Sequence, residues 1–467
     1  MKNYLSILII CLFFLSCSEN GKDKKMPDSE KTEKIAQVIE NPTFSKHIAP
    51  FFYNNCMPCH RPGEAGPFSL ITYKDIKKRS ETIQFVVETR YMPPWPADPN
   101  YRHFLGEKYL EEEEIQTLVN WIDNGMPIGD STAIPEPPTF PTGSQLGEPD
   151  LVIEMEDSFL IKGINVDHFV FIKIPFELEK DTFVRLMEFV PGNRQLAHHM
   201  NGHLINYASH KKSDHFAGEK IVFPDSLGTR NAYKVMGLLN DDGTMPEIRT
   251  LVCNYLPGVS PVAYPEEIGG FKVSKKATFF MQDMHYGPTA VDQWDKSKIN
   301  IFFSRKKPER IPHETQMGTL GISPVEPELI IPPDTIMTFY TKYQVPQDIS
   351  LLMVNPHMHL LGRKFKAYAV TLKKDTIPLV KIDSWDFRWQ FYYKFPKMIK
   401  IPAGATLIAE GLFDNTADNP FNPFFPPREI REPDHSMKTT DEMFQFIFTY
   451  LPYREGDENI SLEVNNI

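Results

Sequence analysis

His168-Phe-Val-Phe-Ile-Lys-Ile174 is the stretch that sets the fold class of most of this chain. It is short, rich in β-branched and aromatic residues, and bounded by Asp167 and Pro175, which is the composition of a strand. Ala405-Thr-Leu-Ile-Ala-Glu-Gly-Leu412 repeats the theme. Such runs recur from residue 150 onward between Pro, Gly and Asp/Asn breaks, and helical stripes are scarce, so this region reads as all-β. Arg305-Lys-Lys-Pro-Glu-Arg-Ile-Pro312 divides it into two halves, 150–307 and 308–467.

Upstream the pattern changes. Residues 73–90 and 110–124 read as helices, the second with Ile115, Leu118, Val119 and Ile122 on one stripe and Gly125 as a C-cap. Ahead of them stands Cys56-Met-Pro-Cys59-His60. Cys-x-x-Cys-His is the attachment signature of a c-type haem: two thiols add to the vinyl groups and the His becomes the proximal iron ligand. A zinc half-site would need a second Cys pair, which the chain lacks, and a redox dithiol would not need the His. Residues 43–130 therefore read as a small all-α domain similar to cytochrome c, carrying one covalent haem c. Met92, in the rigid frame Tyr91-Met-Pro-Pro-Trp95, is preferred as sixth ligand over Met126, in Asn124-Gly-Met-Pro127. An open or differently ligated iron is the alternative.

Residues 1–16 carry Lys2, an apolar run through Leu15 and the small Ser16, directly before Cys17. This is the pattern of a bacterial lipoprotein signal, cleaved before Cys17, whose sulfur and new amino terminus are acylated. An ordinary secretory signal with an incidental Cys is the alternative, since Phe14 stands where Leu is usual. The expected location is the envelope of a diderm bacterium, on the periplasmic side or on the outer membrane surface, held by lipid. Polar residues 17–42 read as a flexible tether, and 131–149, with Ile134-Pro-Glu-Pro-Pro-Thr-Phe-Pro141, as a semi-rigid linker. Of five Cys, Cys11 lies in the removed segment, Cys17 takes lipid and Cys56 and Cys59 take haem. Only Cys253 is left, so no disulfide is expected. A net charge of −11 disfavours a nucleic-acid partner.

Four segments supply metal-ligand chemistry to the all-β region. Asn355-Pro-His357-Met-His359-Leu-Leu-Gly362 lies in a strand-like run, and the two-residue period puts both imidazoles on one face, as a chelate requires. In Ala197-His198-His199-Met200 the two His point to opposite faces of a regular strand. They can share one ion only at a strand end, bulge or bend. Gln282-Asp-Met284-His285 and Thr439-Thr-Asp-Glu442-Met443 each add one ligand. Imidazole suits copper, and thioether sulfur favours Cu(I).

In this order, His-His, Met-His-Tyr, His-x-His and Thr-x-Asp-Glu-Met, the set resembles the copper type II, ascorbate-dependent monooxygenases, which include the peptidylglycine α-hydroxylating and dopamine β-hydroxylating enzymes. The similarity spans residues 150–467 and includes Tyr255-Leu-Pro-Gly258 and Phe413-Asp-Asn-Thr-Ala-Asp-Asn-Pro420. It implies two jelly-roll sandwiches with one copper each. It further implies that His198, His199 and His285 hold an electron-transfer copper, and that His357, His359 and Met443 hold the catalytic copper that binds oxygen. Two Cu(I) ions supply the two electrons that one hydroxylation needs, and a small reductant or redox protein must then restore them; a fused haem offers an entry port. Peptide-amidating relatives grip a carboxylate with an Arg two residues before the first His of His-x-His and a Tyr shortly after the ligand Met. Here Asn355 and Phe444-Gln-Phe-Ile447 stand in those places. A less charged small molecule, aromatic or aliphatic, is the expected substrate beside O2. A non-catalytic haem and copper electron-transfer or copper-binding lipoprotein is the alternative. His203, His210, His215 and His435 stay unassigned, with His435 and Met437 as substitutes should a ligand fail.

Overall fold

In the computed structural model, which describes residues 37–432 and 440–464, β-strands dominate and helices are few. Cys17 with its signal segment, and His435, Met437 and Thr439, lie outside the described residues.

The first β region is built mainly from two antiparallel sheets, with a two-stranded ladder of Phe159–Ile161 and Gln293–Asp295 beside them. One contains β1 (His168–Glu177), β3 (Ala197–Tyr207), β4 (Glu247–Tyr255) and β5 (Lys276–Tyr286), in the order 221–222, β1, β5, β3, β4. The other sets β2 (Thr182–Val190) between Lys298–Phe303 and Phe271–Val273, with Leu151–Glu154 at its edge. Ile172, Phe189, Phe279 and Ile299 are among the buried residues of their shared core. The second region repeats the plan. Its four-stranded sheet runs β6 (His313–Gly318), β9 (Phe444–Pro452), β7 (Ile349–Met358), β8 (Tyr393–Ile401), and a five-stranded sheet faces it across Phe365, Phe395, Leu407 and Phe413. Alternating burial along Thr406–Asp414 shows why period two specifies these layers: every second side chain enters the core.

Register places the ligands. On β7 and β9 the ladder pairs His357 with Gln445 and Met358 with Phe444, so His359 and Met443 leave the sheet at the same end. On β3 and β5 the register slips between Ala197 and His199 and again between His199 and Asn201. This is the bulge that adjacent ligands need, because it turns two neighbouring side chains from opposite faces toward one side.

The N-terminal segment is helical: α1 (Ala49–Asn55), α2 (Tyr73–Lys77), α3 (Ser80–Glu88) and α4 (Glu112–Asp123). The helix expected over 73–90 is broken in two at Lys78 and Arg79, where Arg79 takes a non-helical ψ of 14°. α4 buries Ile115, Leu118 and Val119 as its stripe predicts, against Phe44, Phe52 and Ile83. The acidic run at its start is more than a solvated face: Glu111 and Glu114 form a reciprocal capping box, with Glu111 N donating to Glu114 Oε2 at 2.8 Å. Residues 95–105 leave this helical core and join the second sandwich. Trp95 packs on Phe391 and Tyr393, Phe104 and Ala97 sit in that sandwich's core, and Arg102 donates to Pro378 O at 2.7 Å. Burying Phe104 alone favours docking by about 1.5–3 kcal/mol. Among the described residues, no helix is long and apolar enough to cross a membrane, and Cys56, Cys59 and Cys253 are free of disulfides.

Candidate metal centres

His198, His199 and His285 converge, with one ring nitrogen of each within 4.8 Å of the others. His199 Nδ1 lies 3.4 Å from His198 Nδ1 and 3.3 Å from His285 Nδ1. The far nitrogens explain which atoms face inward. His285 Nε2 meets Asp167 Oδ1 at 2.7 Å and His199 Nε2 meets Asp283 Oδ2 at 3.0 Å. A carboxylate takes the Nε2 hydrogen and so leaves Nδ1 as a lone-pair donor, the arrangement by which carboxylates orient metal-bound imidazoles. Burial, reinforced by the other two rings, pushes His198 down to about 3, and burial lowers His285 as well. Burial would raise Asp283, but the rings of His199 and His285 outweigh it and hold the carboxyl at about 2. Convergent imidazoles with anionic supports fit copper.

The second set forms at the end of β7. His357 Nδ1 meets Gln390 Oε1, and His359 Nδ1 donates to Asp441 O at 2.9 Å, so both rings keep Nε2 as the lone-pair atom. The rings stand edge to face, with centroids 5.1 Å apart. Burial and His359 push His357 down to about 3. Met443 is fully buried one residue before β9, and Gln445 Nε2 approaches its sulfur at 3.9 Å. Glu442 fixes the turn: its carboxyl accepts from His359 N at 3.0 Å and Leu361 N at 2.6 Å. Burial raises Glu442 to about 8 against those backbone donors. Two imidazoles and a thioether held at one strand end fit a soft copper site. Beside His359, a cavity of about 180 Å³ is walled by Leu360, Trp385, Phe387 and Phe421 together with the Asp386–Arg388 ion pair.

The two sets lie within electrostatic reach of each other. Asp283 acts on His199 and also on His357, and Arg388 acts on His198. Tyr392 Oη donates to Asn201 Oδ1 at 3.4 Å across the same boundary.

Cys56 and Cys59 follow α1, and burial pushes the Cys56 thiol up to about 12 and raises Cys59. His60 Nδ1 donates to Phe68 O at 3.1 Å, which leaves Nε2 available as a ligand. Gly66 lies so close to His60 that a Cβ there would stand 2.9 Å from its Cγ. These residues fit a haem attachment site. Met92 is half-buried, with its N–H on Val86 O at 3.0 Å, whereas Met126 packs against the helical core.

Asp167, Asp283 and Gln390 are site residues that sequence reading leaves out. Asp283 sits inside the quoted Gln282–His285 segment and carries a positive φ of 66°, while Gln390 gives no local signal. His203, within reach of Asp283, and His215, with Nε2 on Phe176 O at 3.0 Å, are buried outside the three-histidine group.

Residues 316–422 match the family Copper type II ascorbate-dependent monooxygenase, C-terminal domain. That span includes His357 and His359 and gives the second sandwich its class, a copper monooxygenase-like module. Among curated relatives, the chain is 23% identical over 186 residues to MOXD1 homolog 2 of Drosophila melanogaster, covering 36% of this chain. It spans 24% of that relative's length. Among solved structures, PBCV-1 VP54, from its crystal structure fitted into a cryo-EM reconstruction of the virophage Sputnik, covers 65% of this chain and 97% of that chain at 6% identity. Its TM-score of 0.19 is too low to bear on the fold.

Proposed function

We propose that this chain is a copper monooxygenase that hydroxylates a C–H bond of a small, largely apolar substrate with O2, and that it draws electrons through a haem c held on the helical segment. The carrying observation is that His198, His199 and His285 bring one ring nitrogen each within 4.8 Å of the others, while His357 and His359, each with Nδ1 bonded, stand with Met443 at one strand end. The reaction R–H + O2 + 2e⁻ + 2H⁺ → R–OH + H2O needs two electrons from outside the substrate. Copper held by His198, His199 and His285 suits one-electron storage, and copper held by His357, His359 and Met443 suits oxygen activation.

The chain's own contribution is positioning. Asp167, Asp283, Gln390 and the Asp441 carbonyl fix ring orientation. Phe387, whose ring stands 5.5 Å from that of His359, joins Trp385 and Phe421 in the apolar part of the wall, and Arg388, the cation that also lines it, is paired with Asp386, which suits a largely apolar substrate. Asn355 is committed to Phe391 O at 2.9 Å and offers no cation for a carboxylate.

Cys56, Cys59 and His60 would hold the haem, with Met92 as sixth ligand in preference to Met126, and the haem would supply one-electron exchange. Two contacts favour that route. Cys59 Sγ abuts Gly258 so closely that a Cβ there would collide with it, and Gly258 follows β4, which pairs with the histidine-bearing β3. Arg388 Nη1 donates to Tyr91 Oη at 2.8 Å, next to Met92, while Arg388 also acts on His198. In this reading residues 43–130 are a cytochrome c-like domain, the sandwiches are jelly rolls, and acylated Cys17 anchors the protein in a bacterial cell envelope.

The test is to load the full chain with copper, reduce it, and expose it to labelled O2 with a cell extract. Labelled hydroxylated products are expected. Met443→Ala should keep a copper content close to wild type yet lose product by orders of magnitude. A Met443→Ala protein with wild-type product formation would remove the proposed catalytic centre and favour a non-catalytic relay or copper-storage role.

A further inference from the structure

Residues 385–392, which lead into β8, make contacts in three directions. Toward the second cluster, Gln390 Oε1 meets His357 Nδ1, and the Phe387 ring stands 5.5 Å from that of His359. Gln390 Nε2 also donates to Phe387 O at 3.0 Å, so the two residues hold each other. Toward the first cluster, Tyr392 Oη donates at 3.4 Å to Asn201 Oδ1, two residues beyond His199 on β3. Toward the helical segment, Arg388 is paired through Nε with Asp386 Oδ1 at 2.9 Å and donates from Nη1 to Tyr91 Oη at 2.8 Å. Asn355, on the strand that carries His357, pins the middle of the segment by donating to Phe391 O at 2.9 Å.

Alternating side-chain direction lets one short segment do this. Trp389 stacks on Phe391, and Trp95 of the helical segment packs on Phe391 and Tyr393, so the odd-numbered residues turn one way. Gln390 and Tyr392 turn the other way, toward His357 and Asn201. Two packed domains ordinarily move relative to each other, and a fixed separation needs a specific tie. Among the described residues, other hydrogen bonds across the boundary include Thr250 Oγ1 to Glu314 Oε1 at 3.1 Å and Lys394 Nζ to Ala263 O, which join elements that carry no proposed copper ligand. We propose that residues 385–392 are a brace that sets the separation of the two metal clusters, with Tyr392 as the positioning residue that joins it to β3. This rests on the two-copper reading above. Separation matters there because an electron passes between two metal ions at a rate that falls steeply with distance, and functional groups must be held to about 0.5 Å by the residues around them. Burial, then Glu314 and Asp283, raise the Tyr392 hydroxyl, so it stays a donor; Asp283 is also the carboxylate on His199 Nε2.

The experiment loads the full chain with Cu(II) and reads the spread of copper–copper distances from their dipolar coupling by EPR, with copper content measured alongside. The wild type should give one narrow distribution. Tyr392→Phe keeps the ring and loses the donor, and should broaden that distribution about twofold at unchanged copper content. Asn201→Leu should do the same, and the two changes together should be no broader than either alone, because both remove one bond. Hydrogen exchange of the metal-free chain gives a readout without copper: Tyr392→Phe should speed exchange in 385–392 and 198–203 and leave α4 as it was. A Tyr392→Phe distribution as narrow as wild type, or widths that add in the double variant, would overturn the proposal. Fewer than two copper ions on the wild type would sink the copper reading instead, and the brace would then be decided by exchange, with faster rates in both segments supporting it and unchanged rates overturning it.

Discussion

His285 Nδ1 faces His199 Nδ1 across 3.3 Å, and each ring directs its Nε2 at a carboxylate, Asp167 for the first and Asp283 for the second. Two lone pairs held face to face repel each other until a cation lies between them. Supporting carboxylates thus act on affinity by fixing which nitrogen is bare. Asp283→Asn removes the anionic acceptor while keeping its shape, and should weaken copper at this site by about 10–100-fold. Competition against a calibrated chelator, with wild type and variant run side by side, measures this. Unaltered affinity would show that Asp283 does not set the ring's tautomer.

Haem attachment makes an independent prediction. Denaturing gels stained for haem, from cells that contain the maturation machinery, should show a band that Cys56→Ser plus Cys59→Ser abolishes. Met92→Ala should also remove the sulfur-to-iron band at the red end of the oxidised spectrum. Loss of that band in Met126→Ala instead would move the sixth ligand to Met126, and a stain-negative wild type would end the haem assignment.

Cys17 follows a short apolar segment and Ser16, and is expected to carry the lipid. Cys17→Ala should shift the protein from the membrane fraction to the soluble fraction with copper content intact. Unchanged partitioning would mean that something other than lipid on Cys17 holds the protein at the membrane.

Glu314 predicts a pH dependence of stability. Burial lifts its carboxyl from 4.5 to about 7, so between those values the folded state keeps a proton that the unfolded chain has released. Its contribution is complete below pH 4.5, falls as pH rises toward 7 and levels off above. Glu314→Gln, which cannot ionise, should flatten that part of the profile in urea midpoints taken from pH 4.5 to pH 8. Parallel profiles for the two proteins would refute the assignment.

Local periodicity was enough to reveal the strand character of 168–174 and 405–412, the buried stripe of α4 and the nearness of the His357 and His359 rings, because each depends on side chains a few residues apart. The break at Arg79 and the capping role of Glu114 were harder to read, since a helix boundary is set by backbone groups that many sequences can satisfy. What the order of His and Met could not decide was the third dimension of each cluster. His198 and His199 face one point only because pairing with β5 slips on either side of His199, and a slip is a property of two strands together. Asp167, Asp283 and Gln390 reach their rings across 118, 84 and 33 residues, and residues 95–105 cross from the helical core to the second sandwich. Periodicity in a sequence reports which face of its own element a residue occupies. Only the packing of elements against one another determines what that face meets.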